Sequence, residues 1–428
     1  MTMLRPESEM KDSGIEWIGK MPFNWELHRI RNNYRIITGN GFKPELQGRD
    51  SGKYPVCKAS DISSAGSTLF SAVNYIDETI ASEEHFNIIP ANSIIFPKIG
   101  EAMKKNNRTR VLVDCCVDNN CQGLVPQVIN PVYSYYLLSC IDMRWFDNAG
   151  TIPSLNNQKL KDCKIPYPSL AEQHAIASYL DDRCSKLDEI ITEAEKSIEE
   201  YKELKQAVIF EAVTKGLDKN VPMKDSGIEW VGAIPSHWLV KKFKYVASVN
   251  ANLVSPDDYM DYQQIAPDCI EKDSGRLIKD RTVSEAGVES WNQLFRKGQL
   301  IYSKIRPILN KVIIAPYDGL CSADMYPLDV IEDIEFVQKA MLSKYFVEQV
   351  GLITQDRVKM PKINKEELSN ILMVIPPRDE QVEIVKYLKT RLEGFDELID
   401  EKQSLIEDLK AYKKSLIYEV VTGKRRIS

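Results

Sequence analysis

The 428-residue chain has only four histidines, and its nine cysteines are scattered without the paired spacing of a metal site. Cys115-Cys116 with Cys121 is the one cluster, and no further Cys or His stands near it to complete a zinc shell. These read as reduced core or loop thiols of a cytoplasmic protein. No apolar run is long enough to span a bilayer, and the first twenty residues hold no apolar signal core, so the expectation is a cytoplasmic protein with no membrane partner. Catalytic signatures are missing too: no Gly-x-x-x-x-Gly-Lys-Ser/Thr phosphate loop, no Gly-x-Ser-x-Gly elbow, no His-Glu-x-x-His. Asn130-Pro131-Val132-Tyr133 is one residue from an adenine methyltransferase loop. It lacks a glycine-rich cofactor turn, and reads as a strand-to-helix turn.

What is present is duplication. The eight residues Met10 to Trp17 recur unchanged as Met223 to Trp230, and each copy runs through a proline (Pro22, Pro235) to a second tryptophan (Trp25, Trp238). A period of this length fits duplication of a whole domain rather than a solenoid unit. The tryptophans read as anchors that tie each copy to a core.

Each copy ends in a long amphipathic helix. In the first, Leu180, Leu187, Ala194, Tyr201 and Val208 recur every seventh residue, with Ile191 and Ile198 in a second row. Ser169 and Glu172 form a capping box, and no Pro or Gly follows before Gly216. At ~1.5 Å per residue the rod would reach ~65 Å. It cannot bury its stripe alone, and a partner lies in the same chain. Shifted by 208 residues, Leu180, Leu187, Ile191, Ile198, Tyr201 and Val208 fall on Leu388, Phe395, Ile399, Ile406, Leu409 and Leu416 without a gap. Glu172-Gln173 falls on Glu380-Gln381. Gly394, Lys402 and Pro377 predict a second helix weaker at its start and middle.

The parts between read as mixed α/β. Strands are expected at 93–96, 110–113 and 124–129, with a helix over 133–145; the second copy repeats the order at 299–302, 311–314 and 326–330, with a helix over 336–349. After each helix, Gly150…Pro153…Leu155-Asn156 matches Val358…Pro361…Ile363-Asn364. The net charge of −6 lies mainly on the first helix, where 169–216 carries 11 acidic and 6 basic residues; 20–164 carries 17 basic and 14 acidic, and 235–373 carries 18 basic and 19 acidic. Total charge is therefore a poor guide to what the globular parts touch.

The candidate contact residues lie in polar loops. Lys98, Lys104, Lys105, Asn106, Arg108 and Arg110 fall between two expected strands, and Lys304, Arg306, Asn310 and Lys311 fall at the matching place of the second copy. Arg and Lys suit phosphates and guanine edges, and Asn suits adenine, so such a loop could both dock on a duplex and read it. In this reading Lys104, Lys105 and Lys311 hold phosphates, while Asn106, Arg108, Arg306 and Asn310 are free to read bases. A solvated hairpin tip is the other reading of such charge clusters, and the recurrence of the cluster in both copies favours DNA. Lys43, Lys58, Ser60, Arg357 and Lys359 are weaker candidates for the same surface.

The duplicated Lys-Asp-Ser-Gly-Ile-Glu-Trp…Pro…Trp segment, Lys304-Ile-Arg-Pro, Gly150…Pro153…Leu155-Asn156, and the two Pro-x-x-x-Glu-Gln helices ending in Glu-x-Val-Thr resemble the specificity subunit of type I restriction–modification systems, over nearly the whole chain and twice over. The resemblance implies an α+β (mixed α/β) fold: two duplicated target recognition domains separated by two long antiparallel coiled-coil helices, with pseudo-twofold symmetry. The expected boundaries are an N-terminal segment (1–19), a first recognition domain (20–165), a central helix (166–216), a linker repeating the N-terminal segment (217–234), a second recognition domain (235–375) and a C-terminal helix (376–428). It further implies that each domain reads half of a split site in double-stranded DNA. The helices would fix the distance between the halves and dock two adenine methyltransferase (modification) subunits. ATP-dependent restriction subunits would join them. The chain itself would be non-catalytic, with S-adenosylmethionine, ATP and Mg only on partners. A stand-alone DNA-binding regulator or scaffold with no methyltransferase partner remains the other reading, and a complete restriction enzyme would need motifs that the sequence lacks.

Overall fold

The computed structural model describes residues 3–148, 150–357 and 359–427. Val358, one residue of the repeat match, lies outside them. Two compact units form, Met1–Glu193 with Leu405–Ser428, and Ala194–Ser404. The boundary therefore cuts through both long helices, where the sequence sets each helix apart as a segment of its own, 166–216 and 376–428.

In the first unit the repeated segment folds as a hairpin, Met10–Asp12 against Lys20–Pro22. Strand Glu26–Arg29 then pairs antiparallel with Lys164–Tyr167, so the chain enters and leaves the globular part side by side. Between them lies a five-stranded sheet in the order Tyr34–Thr38, Cys121–Pro126, Ile94–Pro97, Thr109–Val111, Thr68–Leu69. A three-stranded sheet of Cys116–Val117, Tyr54–Cys57 and Asn74–Ile76 completes it. Cys57, Cys115 and Cys121 pack with Ile62, Ile89, Ile95 and Val111 in one apolar cluster. A hydrogen bond with Cys57, together with burial, pushes the Cys115 thiol up, so these sulfurs behave as core atoms.

The second unit follows the same plan. Met223–Asp225 pairs with Ala233–Pro235, and Leu239–Lys242 with Leu372–Ile375. One four-stranded sheet runs Ala247–Val249, Met325–Val330, Leu300–Ser303, Val312–Ile314; another runs Leu253–Val254, Asn292–Phe295, Gly319–Cys321, Gln263–Ile265.

The two expected helices are both interrupted. In place of 133–145, helix Pro131–Ser139 ends at Cys140 and a 3-10 turn, Met143–Phe146, restarts with the Asp142 side chain accepting from Arg144 N. Asn130 does cap the first piece, accepting from Val132 N and Tyr133 N. In place of 336–349, Ile334–Leu342 and Lys344–Thr354 are separated by Ser343, whose ψ of 148° breaks the hydrogen-bond ladder.

The Glu-Gln pairs explain why the repeats keep one geometry. Glu172 accepts from Ser169 N (3.2 Å) and from the indole of buried Trp25 (3.2 Å), so one carboxylate both caps the helix and orients the tryptophan. Gln173 bonds Asn130 N and Pro168 O. In the second unit Glu380 accepts from Trp238 Nε1 (2.9 Å), and Gln381 bonds Asp333 N and Pro376 O.

The long helices run Leu170–Lys215 and Arg378–Val421, the second passing through exposed Gly394 unbroken. Within the first unit, Asp188 meets Lys413 at 2.6 Å, and Ile176, Leu180 and Cys184 share a core with Leu416, Ile417 and Val420. Within the second, Lys402 lies over the Tyr201 ring (5.9 Å) and Lys205 pairs with Asp396 (2.5 Å). In both units rising numbers on one helix meet falling numbers on the other, which is antiparallel pairing. Of the stripe positions, Leu180, Ile191, Ile198, Leu388, Ile399, Ile406 and Leu416 are buried, while Leu187, Tyr201, Val208, Phe395 and Leu409 are half-buried. Cys184, Ile209, Ile384 and Leu392 also belong to the buried face. They arise because a 3.6-residue turn widens the seam beyond a strict seven-residue repeat.

Candidate nucleic-acid interface

Each unit presents one loop built on the same frame. In the first, strand Ile94–Pro97 runs into Lys98, and the chain is then held by a second segment: Leu155 N donates to Lys98 O (2.9 Å) and Gly100 N to Pro153 O (2.8 Å). In the second, Leu300–Ser303 runs into Lys304; Ile363 N donates to Lys304 O (2.9 Å) and Arg306 N to Pro361 O (2.7 Å). Isolated bridges Ile99–Ser154 and Ile305–Lys362 complete each clamp. Just beyond it, Asn156 and Asn364 cap short helices, Asn157–Asp162 and Lys365–Asn370. The recurrence of Pro-x-(Leu/Ile)-Asn thus has a physical cause: it staples the loop and starts the next helix. The sequence contained both halves of the clamp, but nothing local says that they pair.

The loops themselves differ from the hairpin tips expected. The first makes a helical turn, Gly100–Lys104, then reverses at Asn106 in the left-handed region (φ 63°). Arg108, expected to read bases, is instead 7% exposed. Its guanidinium donates to the carbonyls of Leu138 and Ile141, at and just past the end of helix Pro131–Ser139, and to Asn106 Oδ1 (2.6 Å). Burial lowers its pKa to about 10. Asn106, expected to be free for bases, spends its Oδ1 on Arg108 and Met143 N. These two residues build the loop rather than present it, because the end of a buried helix leaves carbonyls that need donors. Arg110 bonds Asn92.

The second loop makes a 3-10 turn, Pro307–Leu309, between Arg306 (φ 43°) and Asn310 (φ 44°), both left-handed. Asn310 is 1% exposed and so is not placed to read a base. Lys311, expected on phosphate, donates to Pro267 O (2.5 Å). Lys304 lies over the Tyr326 ring (5.2 Å), and Arg306 stands exposed.

Three other candidate cations are neutralised. Lys104 pairs with Glu101 (2.7 Å), Lys43 with Glu84 (2.7 Å) and Arg357 with Glu367 (2.5 Å). Lys58 donates to Gln47 and covers Phe42. Ser60 is exposed on helix Ala59–Ser64. Lys105 and Lys359 are exposed and Lys98 half-buried. Ion pairs at a surface contribute little to stability but do reduce the field that a polyanion meets.

Two such loops, alike in frame and unlike in side chains, match what the comparisons with known proteins find. The sequence profile of the type I restriction modification DNA specificity domain matches residues 22–200 and again 255–408. The chain belongs to the type I restriction–modification DNA specificity family. Each stretch of the match covers one of the clamped loops. Among curated members, the chain is 30% identical over 388 residues to the EcoDI specificity subunit of Escherichia coli, covering 86% of this chain and 81% of that one. It is 24% identical over 431 residues to the MjaVIII specificity subunit of Methanocaldococcus jannaschii, covering 95% and 94%. A solved chain, described with the structural basis underlying complex assembly and conformational transition of the type I R-M system, shares the fold with a TM-score of 0.65 at 13% identity, over 94% of this chain and 99% of that one. Among the described residues no helix is long and apolar enough to cross a membrane, and no group of His, Cys, Asp and Glu is placed to hold a metal.

Proposed function

We propose that this chain is the sequence-reading subunit of a type I restriction–modification complex, with each unit reading one half of a split site in double-stranded DNA. The clamped loop that recurs after Ile94–Pro97 and after Leu300–Ser303 carries this reading. A frame kept twice, with different side chains on it, is what two readers with different targets need. Phosphate contacts would come from exposed Lys105 and from Lys104 once it leaves Glu101, and base contacts from the tips.

The chemistry belongs to partners in this reading. A modification subunit binding S-adenosylmethionine would flip out and methylate adenine, and a restriction subunit would use ATP and Mg; this chain would supply no catalytic residue and act in the cytoplasm. A second apolar row suits the docking of such subunits. Ile190 and Leu204 on the central helix, and Leu398, Leu405 and Tyr412 on the C-terminal one, stand exposed at multiples of seven residues, outside the buried seam.

Adenine-methylation mapping in cells that express the chain with its modification subunit tests the proposal, and a split motif is expected. Exchanging residues 20–165 for another recognition domain should change one half only; a change in both halves would refute the assignment of one half to each domain. Failure to co-purify with any methyltransferase would favour a stand-alone regulator.

A further inference from the structure

Gly100 and Arg306 occupy the same place in the two clamps, each donating its amide to the matching proline carbonyl and each in the left-handed region, with φ 71° and φ 43°. The first is the expected solution, since glycine takes this conformation without steric cost. A Cβ there would meet nothing within 4 Å, so space does not demand glycine; only the backbone does. The second copy keeps the backbone and carries an arginine, which has to bear the strain of a Cβ close to its own carbonyl. Strained residues of this kind persist where surrounding structure holds them and where the side chain has a use.

The surroundings hold Arg306 firmly. Its amide is fixed by Pro361, its carbonyl accepts from Leu309 N (2.8 Å), and Pro307 behind it is buried. Its guanidinium is exposed and, among the described residues, has no hydrogen bond or ion pair. Neighbouring cations are occupied: Lys304 by Tyr326, Lys311 by Pro267, Lys362 by Asp324 and Arg357 by Glu367.

The geometry points to Arg306 as a specificity-determining residue that reads a guanine edge in the half-site of the second unit, a contact that the first unit does not make at Gly100. This rests on the reading of the clamped loops as DNA-facing. A planar guanidinium on a backbone fixed in advance suits bidentate recognition of guanine O6 and N7, and loses less freedom on binding than one on a mobile tip. The strain is not needed for folding, because glycine at the equivalent position gives the same clamp.

The test uses the complex of this chain with its modification subunit, methylating genomic DNA. Arg306→Gly installs the residue of the first unit and should leave the melting temperature unchanged or raised. It should relax one position of one half-site by roughly 10- to 100-fold in discrimination, with the other half unchanged. Arg306→Lys keeps the charge and loses the fork, and should relax the same position while leaving the salt dependence of binding intact; it is the deciding variant if the glycine form melts early. Uniform loss of methylation with the motif intact would make Arg306 a phosphate contact and overturn the inference. An unchanged motif and rate would overturn it too. If the wild-type complex methylates a continuous motif, or none, the reading of the two heads fails first, and that result is distinct from either variant outcome.

Discussion

Loop 98–110 of the first unit and loop 304–311 of the second hang from the same clamp, yet they use their arginines in opposite ways. Arg108 turns inward and satisfies the carbonyls of Leu138 and Ile141, whereas Arg306 points to solvent from a strained backbone. The first loop has a whole helical turn in which to bring a cation back to the helix end. The second closes within a 3-10 turn and cannot. The lesson is that a cation in a recognition loop has to be sorted by burial before it is given a role, since composition treats both alike.

The largest effects should fall on what the two units share. Trp25→Ala and Trp238→Ala each empty a fully buried indole site and remove one of the donors to Glu172 or Glu380, so each should cost about 3–5 kcal/mol in urea unfolding. If one unit tolerates the change, the claim that both are anchored alike breaks.

Next comes the contrast between the loops. Arg108→Ala leaves the Ile141 carbonyl without its donor and the Leu138 carbonyl with only Ile141 N, and should cost about 2 kcal/mol, with a lowered melting temperature. A stable Arg108→Ala protein that has lost DNA affinity would return Arg108 to the reading surface.

The helix ends sharpen the comparison further. Gly423 and Gly216 both close a long helix at φ 75°, but a Cβ on Gly423 would lie 2.4 Å from Pro22 Cδ, against 3.0 Å from the Trp238 ring for Gly216. Gly423→Ala should therefore be the more damaging, by on the order of 1 kcal/mol over the roughly 1–2 kcal/mol that both lose to a left-handed backbone. Equal melting temperatures for the two variants would contradict this.

The smallest effect concerns charge. Lys104 and Lys105 to Ala together should flatten the slope of log affinity against log salt by about two contacts' worth, and an unchanged slope would remove that turn from the interface. In the second unit, the hydrogen bond from Arg357 holds the Glu367 carboxyl below its usual range. A carboxylate with a lowered folded pKa stabilises above its unfolded value, near pH 4.3, and loses that contribution as pH falls through the folded value. The melting-temperature gap between wild type and Glu367→Gln should thus shrink below about pH 4, and a constant gap would speak against the pair.

The sequence alone was enough to establish the duplication, the two long helices and the face that each buries, because apolar side chains at seven-residue spacing can be buried only on a matching face. Which residues meet across the pair was left to the structure. It also marked the tryptophan anchors and the capping carboxylates, whose partners lie in the same repeat. It located the polar loops, and it could not say which of their residues face outward. Arg108 and Asn310 look like readers in one dimension and are buried in three, and half-buried Asn106 spends its side-chain oxygen on Arg108 and Met143 N. Their fate depends on carbonyls and turns supplied by segments tens of residues away. Only the tertiary structure brings Pro153 to Gly100 and Pro361 to Arg306, because the clamp consists of backbone hydrogen bonds, and backbone groups are the same at every position of the chain.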